Sequence, residues 1–306
     1  MHHAIQGCYA ALPTPFHQGR LDLERYGELI ERIAELGADG IVVAGTTGEV
    51  PTLNGYEQRS LIHHAVEVNR GRLSLIAGIG TNCTRSSVEM ARFAAESGAD
   101  GLMAVTPYYN CPTRRGLLLH FGQIADASDL PLMLYNVPSR TGTDLVPAVA
   151  AELAARHDNI VAIKETTRSL ERVRELVQTS DLAVLCGEDT LIYEYCMLGA
   201  VGAVSVVANL SPRHVSGIVH GAAGALDTEL ARELQAELVD LNAALRLDVN
   251  PVPLKAAMAD LGLCQAEVRA PLAPLDIDTR TELRRLLARA TSVHALEPEP
   301  QPARHE

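Results

Sequence analysis

The chain reads as an α/β protein, a (β/α)8 TIM barrel with a C-terminal helical extension, and three observations predict it. Eight short apolar runs recur roughly 20–35 residues apart, the period of a strand followed by a helix. The runs are continuously apolar rather than alternating, as parallel strands covered on both faces require. Three of them follow one junction, an amphipathic stretch closed by glycine: Gly37-Ala38-Asp39-Gly40, Gly98-Ala99-Asp100-Gly101 and Gly199-Ala200-Val201-Gly202. Glycine just past a helix takes the left-handed conformation that ends it. With 306 residues and 47% hydrophobic content, the chain can bury a sizeable core. A doubly wound open sheet is the alternative that periodicity alone leaves open.

In order, the first run is Cys8-Tyr9-Ala10-Ala11-Leu12. The second, 41–44, exits into Gly45-Thr46-Thr47-Gly48-Glu49. The third, 73–77, ends at Gly78-Ile79-Gly80, which lacks the third glycine of a dinucleotide loop. Ser86-x-x-Glu89 then reads as a capping box, with Val88, Ala91 and Ala95 on one helix face. The fourth run, 102–105, exits into Thr106-Pro107-Tyr108-Tyr109-Asn110. The fifth, 132–135, ends in Tyr135-Asn136-Val137-Pro138-Ser139-Arg140-Thr141-Gly142. The sixth, 160–163, closes on Lys164; the seventh, 182–185, reaches Gly187-Glu188-Asp189; the eighth is 203–206. After about residue 225 the strands stop, and 229–247, 253–261 and 280–290 read as helices. The predicted organisation is a catalytic barrel over 1–224, a helical region over 225–292 and a disordered tail over 293–306, where Pro298, Pro300 and Pro302 stand among charges.

A net charge of −12 disfavours nucleic acid or anionic membrane as a partner. No apolar run is long enough to span a bilayer, and the first residues lack a signal peptide's basic and apolar regions. The six cysteines form no C-x-x-C, so they read as reduced thiols of a cytoplasmic protein. His63-His64 are adjacent rather than at helical zinc spacing, and no G-x-S-x-G elbow occurs.

Only two lysines, Lys164 and Lys255, stand against twenty-four arginines. Lys164 closes the β-branched run Ile160-Val161-Ala162-Ile163. Arginine cannot replace lysine where an amine must lose its proton, and the chemistry that needs a neutral amine is attack on a carbonyl to form a Schiff base. Singly, each polar residue has a bland reading. A lysine at a strand end is more often a solvated cation, Thr-Thr-Gly is usually a turn, Tyr135 is a core residue and Arg140 an exposed charge. Those readings predict no co-location, whereas in a barrel all of these positions fall at the C-terminal strand ends, where barrel active sites lie.

At these motifs the chain resembles the dihydrodipicolinate synthase family, among the pyruvate-dependent class I lyases and aldolases that include N-acetylneuraminate lyase. The resemblance runs from about Gly7 to Pro274 and is carried by GTTGE at 45–49, TPYYN at 106–110, YNVPSRTG at 135–142 and IKE at 163–165, with NPVPLK at 250–255 and RAPLAP at 269–274. It implies condensation of pyruvate with L-aspartate 4-semialdehyde to 4-hydroxy-tetrahydrodipicolinate, in lysine and diaminopimelate biosynthesis. Lys164 would form the imine and Tyr135 would pass protons. Thr46 would link Tyr135 to Tyr109 in a hydroxyl relay. Thr47 would hold the pyruvate carboxylate and Arg140 that of the second substrate, while Gly187 and the carbonyl of Val204 would line the lysine pocket. It implies no metal and no organic cofactor. Tyr109 would cross into a neighbouring subunit, making a dimer the functional unit and a tetramer the assembly, and Cys111 lies two residues beyond it.

Departures from the family pattern bear on regulation. Lysine-inhibited members carry polar and histidine residues shortly after TTGE, and an acid beyond a glycine-asparagine turn. Here the first region reads Val50-Pro51-Thr52-Leu53-Asn54-Gly55-Tyr56-Glu57-Gln58; Asn82 is retained, and Ser86 falls where the acid would be. Weak or absent feedback inhibition by lysine is expected. GED at 187–189 and KETT at 164–167 replace the commoner GDD and KEAS or KEAT. The rival expectations are a sialic acid or sugar-acid lyase, against which Arg140 argues, and a non-catalytic barrel.

Overall fold

A computed structural model of the chain describes residues 5–223 and 226–290. Eight parallel strands close into a barrel: β1 Gly7–Ala11, β2 Gly40–Val43, β3 Ser74–Gly78, β4 Gly101–Val105, β5 Leu132–Asn136, β6 Ile160–Glu165, β7 Ala183–Cys186 and β8 Gly202–Ser205. Each strand pairs with its neighbours in sequence, and β8 returns to β1 through Tyr9↔Val204. The open-sheet alternative is thereby excluded. The outer ring comprises α1 Leu23–Glu35, α2 Gly55–Asn69, α3 Thr84–Ser97, α4 Arg114–Ala125, α5 Pro147–Arg156, α6 Leu170–Thr179, α7 Ile192–Met197 and α8 Pro212–Ala222. A two-stranded ribbon, 16–17 with 20–21, closes the foot of α1.

Both faces of every strand are covered, which is why the runs are continuously apolar. Tyr9, Val42, Ile76, Met103, Met133, Ala162, Leu185 and Val204 fill the barrel interior. Alternate residues such as Ala10, Ile41, Leu75, Leu134, Ile163 and Val184 pack outward against the helices. The three junction glycines take positive φ as expected, +80° at Gly37, +94° at Gly98 and +103° at Gly199.

Two predicted helices differ. The capping box at Ser86 does not form: α3 begins at Thr84 with Cys83 at the N-cap. The preceding turn is closed earlier, because the Thr81 amide donates to Ser87 Oγ and the Cys83 amide to Thr81 Oγ1. The buried face is accordingly Ser87, Met90, Ala91 and Ala94. The capping box belongs instead to α2, where Asn54 and Glu57 exchange side-chain and backbone bonds. The segment expected as one helix over 229–247 divides into α9 Thr228–Glu237 and α10 Val239–Ala244. Between them the buried Leu238 amide donates to the Gln235 carbonyl in a tight turn. Gln235 also fastens this junction, accepting from the Tyr193 amide and donating to the Asp189 carbonyl.

α11 Val252–Asp260 and α12 Ile277–Arg289 follow. Leu241 of α10, Leu254 and Met258 of α11 and Leu283 of α12 join the same buried cluster as the outer faces of the strands. Among the described residues no helix is long and apolar enough to cross a membrane. The expected tail, 293–306, lies outside the described residues.

Candidate active site

Strand alternation decides which residues meet at the barrel mouth. On β6, Ala162 belongs to the interior cluster and Ile163 to the outer one, so Lys164 points inward and Glu165 outward. Lys164 pairs in register with Tyr135 on β5 and with Leu185 on β7. Its side chain is only 6% exposed, and Nζ lies 4.4 Å from the centroid of the Tyr135 ring. The amine is therefore drawn out of bulk water and set against the phenol-bearing ring.

Glu165, fully buried behind the lysine, locks that register. Its Oε1 accepts from the amides of Thr166 and Thr167 at 2.8 and 2.7 Å, and its Oε2 from Asn136 Nδ2 at 3.0 Å. Asn136 Oδ1 accepts from the Leu145 amide, and Thr166 Oγ1 donates to the Asn136 carbonyl. The tips of β5 and β6 are thus cross-tied just beyond Tyr135 and Lys164.

These side chains open into a cavity of about 360 Å3. Thr46, Thr47, Tyr135, Arg140, Lys164 and Gly187 all line it. Thr47 Oγ1 accepts from Asn250 Nδ2 at 3.0 Å, which leaves its own hydrogen available to an acceptor in the cavity. The turn carrying the threonines is closed by the amides of Gly48, Glu49 and Val50. It is bracketed by two non-glycine residues at positive φ, Ala44 at +53° and Glu49 at +54°. Each such residue costs about 1–3 kcal/mol and persists where its surroundings over-determine it.

Sequence reasoning missed one wall. Asn242, Leu245, Arg246, Asp248, Val249 and Asn250, from α10 and the segment beyond it, also line the cavity. Arg246 pairs with Glu188 at 2.6 Å, and Asp189 Oδ2 accepts from the Val206 and Val207 amides, anchoring the loop after β8. Burial pushes the Asp189 carboxyl above its ordinary range, against the bonds from Ser205 and those two amides. The NPVPLK motif marked this segment, but the contact from Asn250 to Thr47 spans 203 positions and has no local signature.

Two expected residues lie apart from the cavity of their own chain. Tyr109 is 91% exposed and stands at φ +72°. Val204 is buried one layer down in the barrel interior, and Val206 and Val207 form the lining. Among the described residues no three His, Cys, Asp or Glu side chains gather as a metal set.

A family model described as "Dihydrodipicolinate synthetase family" matches residues 4–290. A 4-hydroxy-tetrahydrodipicolinate synthase of Nitratidesulfovibrio vulgaris is 42% identical over 286 residues, covering 93% of this chain and 98% of that one. The solved dihydrodipicolinate synthase of Aquifex aeolicus superposes with a TM-score of 0.92 at 40% identity, covering 97% of this chain and 100% of the other. A solved monomeric dihydrodipicolinate synthase variant matches with a TM-score of 0.91 at 35% identity, covering 94% and 97%. By sequence, by fold and by the residues gathered at its barrel mouth, the chain belongs to the dihydrodipicolinate synthetase family, a family of lyases.

Proposed function

We propose that the chain condenses pyruvate with L-aspartate 4-semialdehyde to 4-hydroxy-tetrahydrodipicolinate through an imine on Lys164. The observation that carries this reading is the single near-buried amine beside Tyr135, opening into a cavity lined by two threonine hydroxyls and a guanidinium. The neutral amine attacks the ketone carbon, and loss of water gives the imine. Removal of a methyl proton gives an enamine, whose carbon attacks the aldehyde. Closure by the substrate's own amine then displaces Lys164. Tyr135 passes protons at the imine nitrogen, and Thr46 connects it onward to Tyr109. The Thr47 hydroxyl, with the amides of Thr46 and Thr47 that the turn's own bonds do not use, receives the pyruvate carboxylate. Arg140 holds the second carboxylate bidentately.

Tyr109 points away from its own cavity, and the reading places it in the site of a second copy of this chain within a tetramer. A reducing, cytoplasmic setting suits the six free thiols. L-lysine is a poor inhibitor in this reading. In the region after TTGE, Gln58 spends its amide on the Gly78 carbonyl at 3.0 Å, and Ser86 supplies no anionic partner for a cationic effector.

Borohydride reduction in the presence of pyruvate is expected to leave an adduct on Lys164, and none in Lys164→Ala. A coupled assay is expected to turn over aspartate semialdehyde and not N-acetylmannosamine, and to keep its rate in millimolar L-lysine. No adduct refutes the imine. Turnover of the amino sugar alone assigns the chain to the sialic acid lyases. Half-inhibition by micromolar lysine removes the regulatory part alone.

A further inference from the structure

The chain keeps lysine at two positions, and imine chemistry accounts for one of them. The other, Lys255, is the more deeply buried, at 0% exposure on α11. Its Nζ donates to Glu49 Oε1 at 2.7 Å and to the Thr14 carbonyl at 2.9 Å, and sits 4.2 Å over the Phe16 ring. Where an exposed cation serves, this chain uses arginine. Here a compact ammonium meets a carboxylate, a carbonyl and a ring, a set of partners for a point charge rather than for a planar five-donor fork.

The partner of this amine closes the threonine turn. Glu49 follows Thr46-Thr47-Gly48 directly, is fully buried, and holds a left-handed backbone at φ +54°. Its second oxygen, Oε2, accepts from the Arg269 amide at 3.0 Å. Arg269 in turn lies 4.3 Å over Phe16, pairs with the Glu57 carboxylate at 2.6 and 2.8 Å, and donates to the Thr52 and Gly19 carbonyls. Asn250, five positions before Lys255, reaches the same turn through Thr47 Oγ1. The segment from 250 to 269 thus grips the turn at both Thr47 and Glu49.

We propose that Lys255 is a positioning residue, which through Glu49 fixes the Thr46-Thr47-Gly48 turn in the shape that receives the keto-acid carboxylate. The proposal rests on the imine reading above. A buried ion pair is by itself weak evidence for stability, and removing one partner strands the other. A merely structural role and a positioning role therefore differ in what else changes. If Lys255 only stabilises, its loss lowers the melting temperature and leaves both Michaelis constants alone. If it shapes the turn, the two substrates separate, because the second carboxylate is held by Arg140 on a different loop.

The test uses the full-length chain and four proteins: wild type, Lys255→Met, Lys255→Met with Glu49→Gln, and Arg269→Gln. Lys255→Met is expected to raise the pyruvate KM about tenfold and slow borohydride trapping of pyruvate, with the semialdehyde KM changing less than about twofold. The double variant removes the stranded carboxylate, so it is expected to recover melting temperature without recovering the pyruvate KM. Arg269→Gln, at the partly exposed rim of the network, is expected to fold and to raise the pyruvate KM about threefold. The proposal is overturned if folded Lys255→Met binds pyruvate as wild type does, if both KM values rise together, or if the double variant recovers pyruvate binding along with stability. Should Lys255→Met fail to fold, the double variant decides, because it removes the amine without stranding a carboxylate: a wild-type pyruvate KM in it overturns the proposal. If wild type traps no pyruvate, the imine reading fails and this inference falls with it.

Discussion

A methyl group placed on Gly187 would meet Lys164 Cε at 2.6 Å and Thr166 Cγ2 at 2.4 Å. The lysine's path across the barrel mouth is thus defined by a missing side chain as much as by its own rotamer. Gly187→Ala is expected to swing Nζ away from Tyr135 and lower kcat/KM for pyruvate about a hundredfold, the usual scale for an ångström of misplacement. Single-turnover trapping with borohydride measures this, and a thermal melt close to wild type separates it from unfolding. An unchanged trapping rate would show that the lysine does not need that path. At this scale the sequence was informative where chemistry is rare: an isolated amine, a TTG turn and an arginine after proline are all in one cavity. It was silent about Asn250 and Glu49, whose partners lie some two hundred positions away and are ordinary residues in themselves.

At the opposite end of the barrel from the cavity, three elements meet on one carboxylate. Asp39 Oδ2, at the entry to β2, accepts from the Cys8 amide on β1 at 2.7 Å and from His220 Nε2 on α8 at 2.9 Å. Donating to the Asp39 carboxylate raises the His220 pKa above its ordinary value. Burial pushes the Asp39 carboxyl up, but the bonds from His220 and Cys8 outweigh it and leave it lowered. The histidine's contribution is therefore complete below about pH 6.5 and lost as pH rises through its raised pKa. The carboxylate's is present above about pH 3.9 and lost as pH falls through its depressed one. His220 is half-exposed, so solvent limits the pair to about 1 kcal/mol or less. Wild type is expected to lose about 1–2 °C more than His220→Gln in melting temperature between about pH 6 and pH 9. Parallel pH–melting curves would dismiss the pair as a clasp. Strands were legible because burial on both faces writes an unbroken apolar run, and helix ends because glycine must take the left-handed turn. The start of α3 was not, since side chains of Thr81 and Ser87 move it upstream, nor the break at Leu238, which Gln235 holds by contacts with the β7 loop.

Across the whole molecule the helices beyond residue 225 are a wall of the site and not an appendage, because Asn242, Leu245, Arg246 and Asp248 to Asn250 line the cavity that Lys164 lines too. Tyr109 stands exposed, and the proposed function sends it into a neighbour. Co-expressed Tyr109→Phe and Lys164→Ala chains, each weak alone, are expected to recover about a quarter of the wild-type rate, since half of random dimers are mixed and each mixed pair keeps one intact site. No recovery would place the tyrosine outside the relay. The sparing use of lysine has a practical corollary. Both ε-amines are walled in, so succinimidyl esters and aldehyde fixatives that rely on surface lysines find almost nothing to grip. Immobilisation or cross-linking of this protein is better directed at its carboxylates or at the exposed thiol of Cys83.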